Sequence, residues 1–237
     1  MAQRSLKDEQ APRSRWSQGY GSAVPRAKER LESPAAADPP ASGRRERRRR
    51  EIRDRLYQTA VELFLEQGYE RTTMDEIATR ADVARTTVFN HYPRKFEFLI
   101  EWGNRRRAWV ANALRRSHLD DMSIDVLVVS YMRLVAQVNI DYRAETKELM
   151  PPSLAFALSS SPLASEFANF IHRAQNRGEV RAGVDPDQAG EMLAATYFAT
   201  IIRWTDHDPP AFDLTEALTN SAALLMRGIE IPRDDER

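Results

Sequence analysis

The chain has 237 residues, 42% of them apolar, no cysteine, and 35 basic against 35 acidic side chains. That is apolar material for one domain or two small ones, and it excludes disulfides and thiol chemistry. Zero net charge gives no overall bias toward nucleic acid, so any such signal must lie in how the charge is distributed.

Residues 1–43 are expected to be a disordered tail. They are rich in Ala, Pro, Ser and Arg, with PAAADPPAS at 34–42 and isolated aromatics at Trp16 and Tyr20. No apolar segment of secretory type opens the chain, and the longest apolar run, 192–202, is too short to cross a bilayer. The expectation is a cytoplasmic protein with no membrane partner. Residues 43–55, GRRERRRREIRDR, form an arginine block that leads into the first helix. Arg48 and Arg49 in this block are candidates for phosphate or groove contacts. The plainer alternative is a solvated helix extension, partly neutralised by Glu46, Glu51 and Asp54.

The first helix spans about Arg45 to Gln67. Its buried stripe is Ile52, Leu56, Ala60, Leu63 and Phe64, and Gly68 stops it. Residues 72–95, TTMDEIATRADVARTTVFNHYPRK, are the stretch around which the chain is organised. Thr73 and Glu76 make a capping box for a second helix, about Met74 to Arg80. Ala81, Asp82 and Val83 make a turn. A third helix, about Ala84 to Tyr92, turns Val88 and Phe89 inward and leaves Arg85, Thr86, Thr87 and Asn90 outward. Pro93 closes it. Small polar residues on a short helix braced by another helix are the plan for entering a DNA major groove.

The run from Ile52 to Leu99 resembles the DNA-binding domain of the TetR family of bacterial transcriptional regulators. The matching residues are Ala60, Leu63, Phe64, Gly68 and Tyr69; then Thr72, Thr73, Ile77, Ala78, Ala81 and Val83; then His91, Tyr92, Pro93 and Lys95. The resemblance implies a head at 44–95 that binds double-stranded DNA. It also implies an effector-binding and dimerisation domain at 96–230, with a polar tail at 231–237. Carried over residue by residue, Arg85, Thr86, Thr87 and Asn90 would meet base edges or phosphates. Thr72, Thr73, His91, Tyr92 and Lys95 would lie near the DNA backbone, with Lys95 on a phosphate. The sequence departs from the family pattern at three places. Asp82 stands where glycine is usual, Ala84 replaces a hydroxyl cap, and Phe89 replaces a phosphate-binding tyrosine.

Beyond residue 95 the pattern stays helical, and the fold class is all-α. A fourth helix is expected from Arg94 to Ser117 and a fifth from Ile124 to Tyr142. Next comes an irregular stretch around Pro151 and Pro152. Further helices are expected at Pro162–Asn176, from Asp185 through Trp204, and at Leu214–Ile229. The last two long helices resemble the dimerisation pair of the family and imply a homodimer. Small residues at Ala189, Ala194, Ala195, Ala199, Ala222 and Ala223 would allow close approach, with area from Leu193, Ile201, Leu218, Leu224 and Leu225. A small-molecule effector would sit among Tyr131, Phe156, Phe167, Phe170, Tyr197, Phe198 and Trp204, with polar handles from Asn139, His172, Gln175 and Thr200. The simpler alternative for these aromatics is plain core.

The histidines at 91, 118, 172 and 207 have no metal spacing, and neither GxSxG nor a glycine-rich phosphate loop occurs. The expectation is a non-enzyme without cofactor or metal: a homodimeric repressor released from a palindromic operator by a small molecule. Two alternatives remain open. One is an activator or ligand-independent regulator of the same fold. The other is a helical small-molecule-binding protein that does not bind DNA.

Overall fold

The structure, a computed structural model, describes residues 43–117, 122–159 and 161–229. Residues 1–42 of the expected tail, His118 and the polar end from 231 lie outside them. Among the described residues the chain is helical and has no strand. The helices are α1 (Arg44–Gln67), α2 (Met74–Arg80), α3 (Arg85–His91), α4 (Phe96–Arg116), α5 (Ile124–Asp141), α6 (Arg143–Ser159), α7 (Pro162–Asn176), α8 (Pro186–Thr205) and α9 (Leu214–Ile229).

The first three helices make a small head. Leu56, Ala60, Leu63 and Phe64 of α1 are buried, as the stripe requires. Gly68 ends α1 at φ 92°, and its N–H bonds to the Phe64 carbonyl, a backbone angle that favours glycine. The capping box at Thr73 and Glu76 is formed. The head's core is aromatic. Phe64 meets Tyr69 edge-on at 5.1 Å, and Tyr92 stacks on Phe98 at 3.9 Å between ring centres. Phe98 belongs to α4, so α4 starts inside the head and runs on into the body, where Trp109, Val110, Ala113 and Leu114 are buried.

The body packs α4 through α9 around α5, whose residues Leu127, Val128, Tyr131, Met132, Ala136 and Val138 are buried. α7 and α8 lie closest together. A Cβ at Gly190 of α8 would fall 2.4 Å from the Ala164 carbonyl oxygen of α7, so the approach depends on glycine there. Asp185 caps α8, with Pro186 in its first turn.

Two expectations are corrected. The stretch around Pro151 and Pro152 is not irregular, because both prolines lie inside α6. Each removes a backbone donor, at a cost of about 3 kcal/mol in an ordinary helix. Full burial of Leu149 and Met150 holds the segment helical, which is tertiary packing overriding local preference. The second correction concerns the residues expected between two subunits. Ala189, Leu193, Ala194, Ile201, Leu218 and Ala222 are buried within one chain. They pack α8 and α9 against their own neighbours and cannot face a partner. Of the expected residues, Ala195, Ala199 and Leu224 are on the outward faces, with Met192 beside them.

Head and body are tied through α1, α4 and α6. Buried Arg105 of α4 bonds Asp54 of α1 and Glu101 of its own helix. Arg53 of α1 bonds Glu101 at 3.0 Å. The Tyr69 N–H of the head donates to the Glu148 carboxylate of α6 at 2.6 Å.

Candidate nucleic-acid interface and ligand cavity

The turn between α2 and α3 is set by Asp82 at φ 52°, the conformation the missing glycine would have supplied. Asp accepts it better than most residues because its short side chain can bond locally. The Val83 N–H closes the turn on the Ala78 carbonyl at 3.1 Å. α3 then starts at Ala84 without a side-chain cap. It is held by Val88, which is fully buried between its neighbours.

Outward from α3 stand Arg85, Thr86 and Asn90, with Thr87 half-buried. Phe89 joins them. The expectation of an inward Phe89 is corrected, since it is 36% exposed. On a seven-residue helix Val88 occupies the core-facing position, and the next residue is rotated by about 100°. The Arg85 guanidinium lies 5.4 Å from the Phe89 ring centre and pairs with Asp75 at 2.9 Å. Both partners are exposed, so this pair is worth less than about 1 kcal/mol. It can be exchanged for a base edge or a phosphate.

Three candidates are placed away from this surface. Tyr92 is fully buried, and its hydroxyl donates to the Arg53 carbonyl. Thr72 is 1% exposed, and its hydroxyl donates to the Gly68 carbonyl at 2.9 Å. Lys95 folds back over the Tyr69 ring at 4.4 Å. Its ammonium donates to the carbonyls of Tyr69, Glu70 and Thr72 at 2.8, 3.1 and 3.1 Å. A lysine has three donors, and these bonds use all of them. In this structure Tyr92, Thr72 and Lys95 hold the head together.

Thr73 remains exposed at the start of α2. Bonds from its backbone and hydroxyl hold the Glu76 carboxyl below its usual range. His91 is half-buried at the end of α3. Burial first, then the positive charges of Arg49 and Arg53, lowers its pKa from the ordinary value, so the imidazole is neutral at pH 7. Arg49 of the arginine block therefore acts on the charge of His91 at the end of α3. Arg48 and Arg49 are both exposed.

A cavity of about 120 Å³ lies in the body between α4, α5, α6, α7 and α8. Four of the expected lining residues are in its wall: Tyr131, Phe156, Tyr197 and Phe198, with Asn139 as a polar handle. Phe167, Phe170 and Trp204 are not. Phe167 and Phe170 pack edge-on behind Tyr131, and Trp204 lies under Arg143. Of the other handles, Gln175 spends its amide on the carbonyls of Arg181 and Val184. His172 and Thr200 are also outside the wall. One whole side of the cavity comes from α4, through Leu99, Trp102, Gly103, Arg106, Arg107 and Val110. By sequence alone Arg105, Arg106 and Arg107 read as a charged middle of the helix. A signal to the contrary exists, because 99, 103, 106 and 110 fall at one helical spacing and place an arginine in an apolar stripe.

The polar part of the wall is a network. Arg106 donates to Asn139 at 3.2 Å, Thr146 at 3.0 Å and Glu145 at 3.2 Å. Its guanidinium lies 4.1 Å from the Trp102 ring. Asn139 donates to the Tyr197 hydroxyl at 3.1 Å. Burial raises the Tyr197 phenol, so it stays protonated and keeps a hydrogen to give. Among the described residues no cluster could hold a metal ion, and no helix is long and apolar enough to cross a membrane.

The family model for bacterial regulatory proteins of the tetR family matches residues 56–101, which cover the second half of α1 through the start of α4. The regulator TcmR of Streptomyces glaucescens is 46% identical over 62 residues, 26% of this chain and 27% of that protein. The negative transcriptional regulator IcaR of Staphylococcus epidermidis is 28% identical over 91 residues, 38% of this chain and 49% of that protein. These matches span about a quarter and a half of those two relatives. The likeness to the Thermus thermophilus repressor FadR in complex with lauroyl-CoA is longer, at TM-score 0.64 and 26% identity. It covers 78% of this chain and 98% of that one. The chain therefore carries a head that matches the tetR family at residues 56–101, and its all-helical fold as a whole is similar to that of a TetR-family repressor.

Proposed function

We propose that the chain is a DNA-binding transcriptional regulator. It acts as a homodimer on an inverted-repeat operator, and a small molecule in the body's cavity releases it. The observation that carries this is the exposed face of α3, where Arg85, Thr86, Phe89 and Asn90 project from a helix anchored by Val88. Arg85 suits guanine, Asn90 suits adenine, and Phe89 offers an apolar edge to a thymine methyl. IcaR is named a negative regulator and FadR a repressor, which favours repression.

The dimer is supported by the outward apolar residues of the last helices, with Met192 51% and Leu224 71% exposed. Two heads on one duplex face would enter grooves about 34 Å apart.

The switch is supported by α6. Its residues Met150, Ser153 and Phe156 line the cavity, and its Glu148 holds the Tyr69 N–H of the head. A ligand that displaces α6 re-aims the head through that bond. A near-complete switch needs a ligand that prefers the released state by about 5.5 kcal/mol. Glu148→Ala is expected to keep ligand affinity while reducing the ligand's effect on operator affinity. Titrating ligand with and without operator measures both, and unchanged coupling would reject this route.

Selection of bound DNA from a random duplex pool tests the whole reading, with an enriched inverted repeat as the expected outcome. Arg85→Ala should weaken binding by about 1–3 kcal/mol per half-site and relax the base preference at one position. An equal loss on every sequence would remove Arg85 from base reading.

A further inference from the structure

We propose that the cavity takes a compact apolar carboxylic acid, held as its anion by Arg107, the Nε of Arg106 and the Tyr197 hydroxyl. This rests on the ligand-binding half of the proposed function and names the ligand's chemical class.

The wall is apolar over most of its extent, through Leu99, Val110, Val135, Met150, Leu163 and Phe198. Three of its polar residues, Trp102, Arg106 and Arg107, carry donors and no acceptor, and no carboxylate is in the wall. The Arg106 side chain is buried, and three of its N–H groups are matched by Asn139, Thr146 and Glu145. Its Nε is buried without a partner. A buried unmatched donor is costly, and an acceptor supplied by a ligand removes that cost. Tyr197 accepts from Asn139, so its own hydrogen is left to donate. Arg107 lines the same cavity and donates to Asn104. Among the described residues it makes no ion pair.

The acidic groups nearby are already engaged. Glu145 accepts from Arg106 and from the Trp102 indole. Glu166 accepts the Tyr131 hydroxyl at 2.8 Å. Neither lines the cavity, so neither occupies the place of a ligand's acid group. An ammonium ligand would meet two guanidinium groups. A neutral ligand would leave half-buried Arg107 with Glu166, which lies outside the wall, as the carboxylate that feels its charge. A carboxylate satisfies both arginines, since guanidinium and carboxylate match in shape and charge. The cavity's size, about 120 Å³, is close to that of a cavity that admits benzene, which sets the apolar body at about six to eight carbons.

Isothermal titration of the full chain with octanoate and with octan-1-ol tests the proposal. The two probes share one chain length and differ in charge. Octanoate is expected to bind at least about tenfold more tightly, the ratio that a charge-assisted bond gives. Arg107→Gln should remove most of that preference and leave octan-1-ol affinity within about twofold. Tyr197→Phe, which deletes only the hydroxyl, should reduce the preference severalfold. Equal binding of the two probes overturns the proposal. So does the absence of heat from octanoate in a chain that circular dichroism shows folded, and so does a preference that survives Arg107→Gln. Binding is read without DNA, so failure here leaves the DNA-binding reading intact. An empty duplex selection leaves the acid site intact in turn.

Discussion

Lys95→Met is expected to destabilise the head and to leave the salt dependence of operator binding unchanged. A lysine beside a DNA-reading helix suggests a phosphate contact, but the Lys95 ammonium is already shared among the carbonyls of Tyr69, Glu70 and Thr72. These carbonyls belong to the turn between α1 and α2, which has no helical partners for them. Methionine keeps the length of the stem and removes the three donors. The loss of three charge-assisted bonds, two of them part-buried, costs on the order of 2–4 kcal/mol. For a chain of this size that lowers the melting midpoint by roughly 5–15 °C. A thermal melt followed by circular dichroism reads the stability, and operator titration at several salt concentrations reads the slope. A normal melt, with the slope smaller by about one counterion, would return Lys95 to the phosphate and reject the clamp.

The difference between those two roles shows where sequence reading stops. The head is legible because its local signals agree. The Thr73–Glu76 capping box, the stripe from Leu56 to Phe64, the stop at Gly68 and the turn at Asp82 are all found where the sequence puts them. Each depends on neighbours within a few residues. Lys95, Thr72 and Tyr92 mislead because the partners that decide their roles include distant ones. Lys95 reaches back 26 residues to Tyr69, and Tyr92 reaches 39 residues to Arg53.

In the body, helix positions are legible and helix faces are not. Pro151 and Pro152 suggest a break in α6 because the burial of Leu149 and Met150, which keeps it helical, is tertiary. The cavity is half legible. Its aromatic residues Tyr131, Tyr197 and Phe198 are recognisable by type. Arg106 and Arg107 escape notice because their charge outweighs their place beside the apolar stripe of α4. Phe167 and Phe170 show the converse error, since helical spacing alone does not separate a cavity wall from the layer behind it.

Leu224→Glu, combined with Met192→Glu, is expected to give a folded monomer that has lost tight operator binding. Both side chains are more than half exposed in one protomer, and substitutions at such positions usually change a chain's own stability by no more than about 0.5 kcal/mol. An effect on assembly is therefore separable from an effect on folding. On a symmetric contact each substitution is met by its copy or by the same face of the partner, so two to four carboxylates are brought together in an apolar interface. Burying an unpaired charge there costs several kcal/mol. Light scattering after size exclusion should report half the wild-type mass, with the helical circular dichroism unchanged. Operator affinity should then fall by roughly 10²–10⁴, the advantage of two linked heads over one. Affinity for a single half-site should stay the same, because α3 and its exposed residues are untouched. A dimer that persists in the doubly substituted chain would reject the outward face of α8 and α9 as the contact. A monomer that still holds the full operator as tightly as the wild type would separate DNA recognition from the two-fold arrangement altogether.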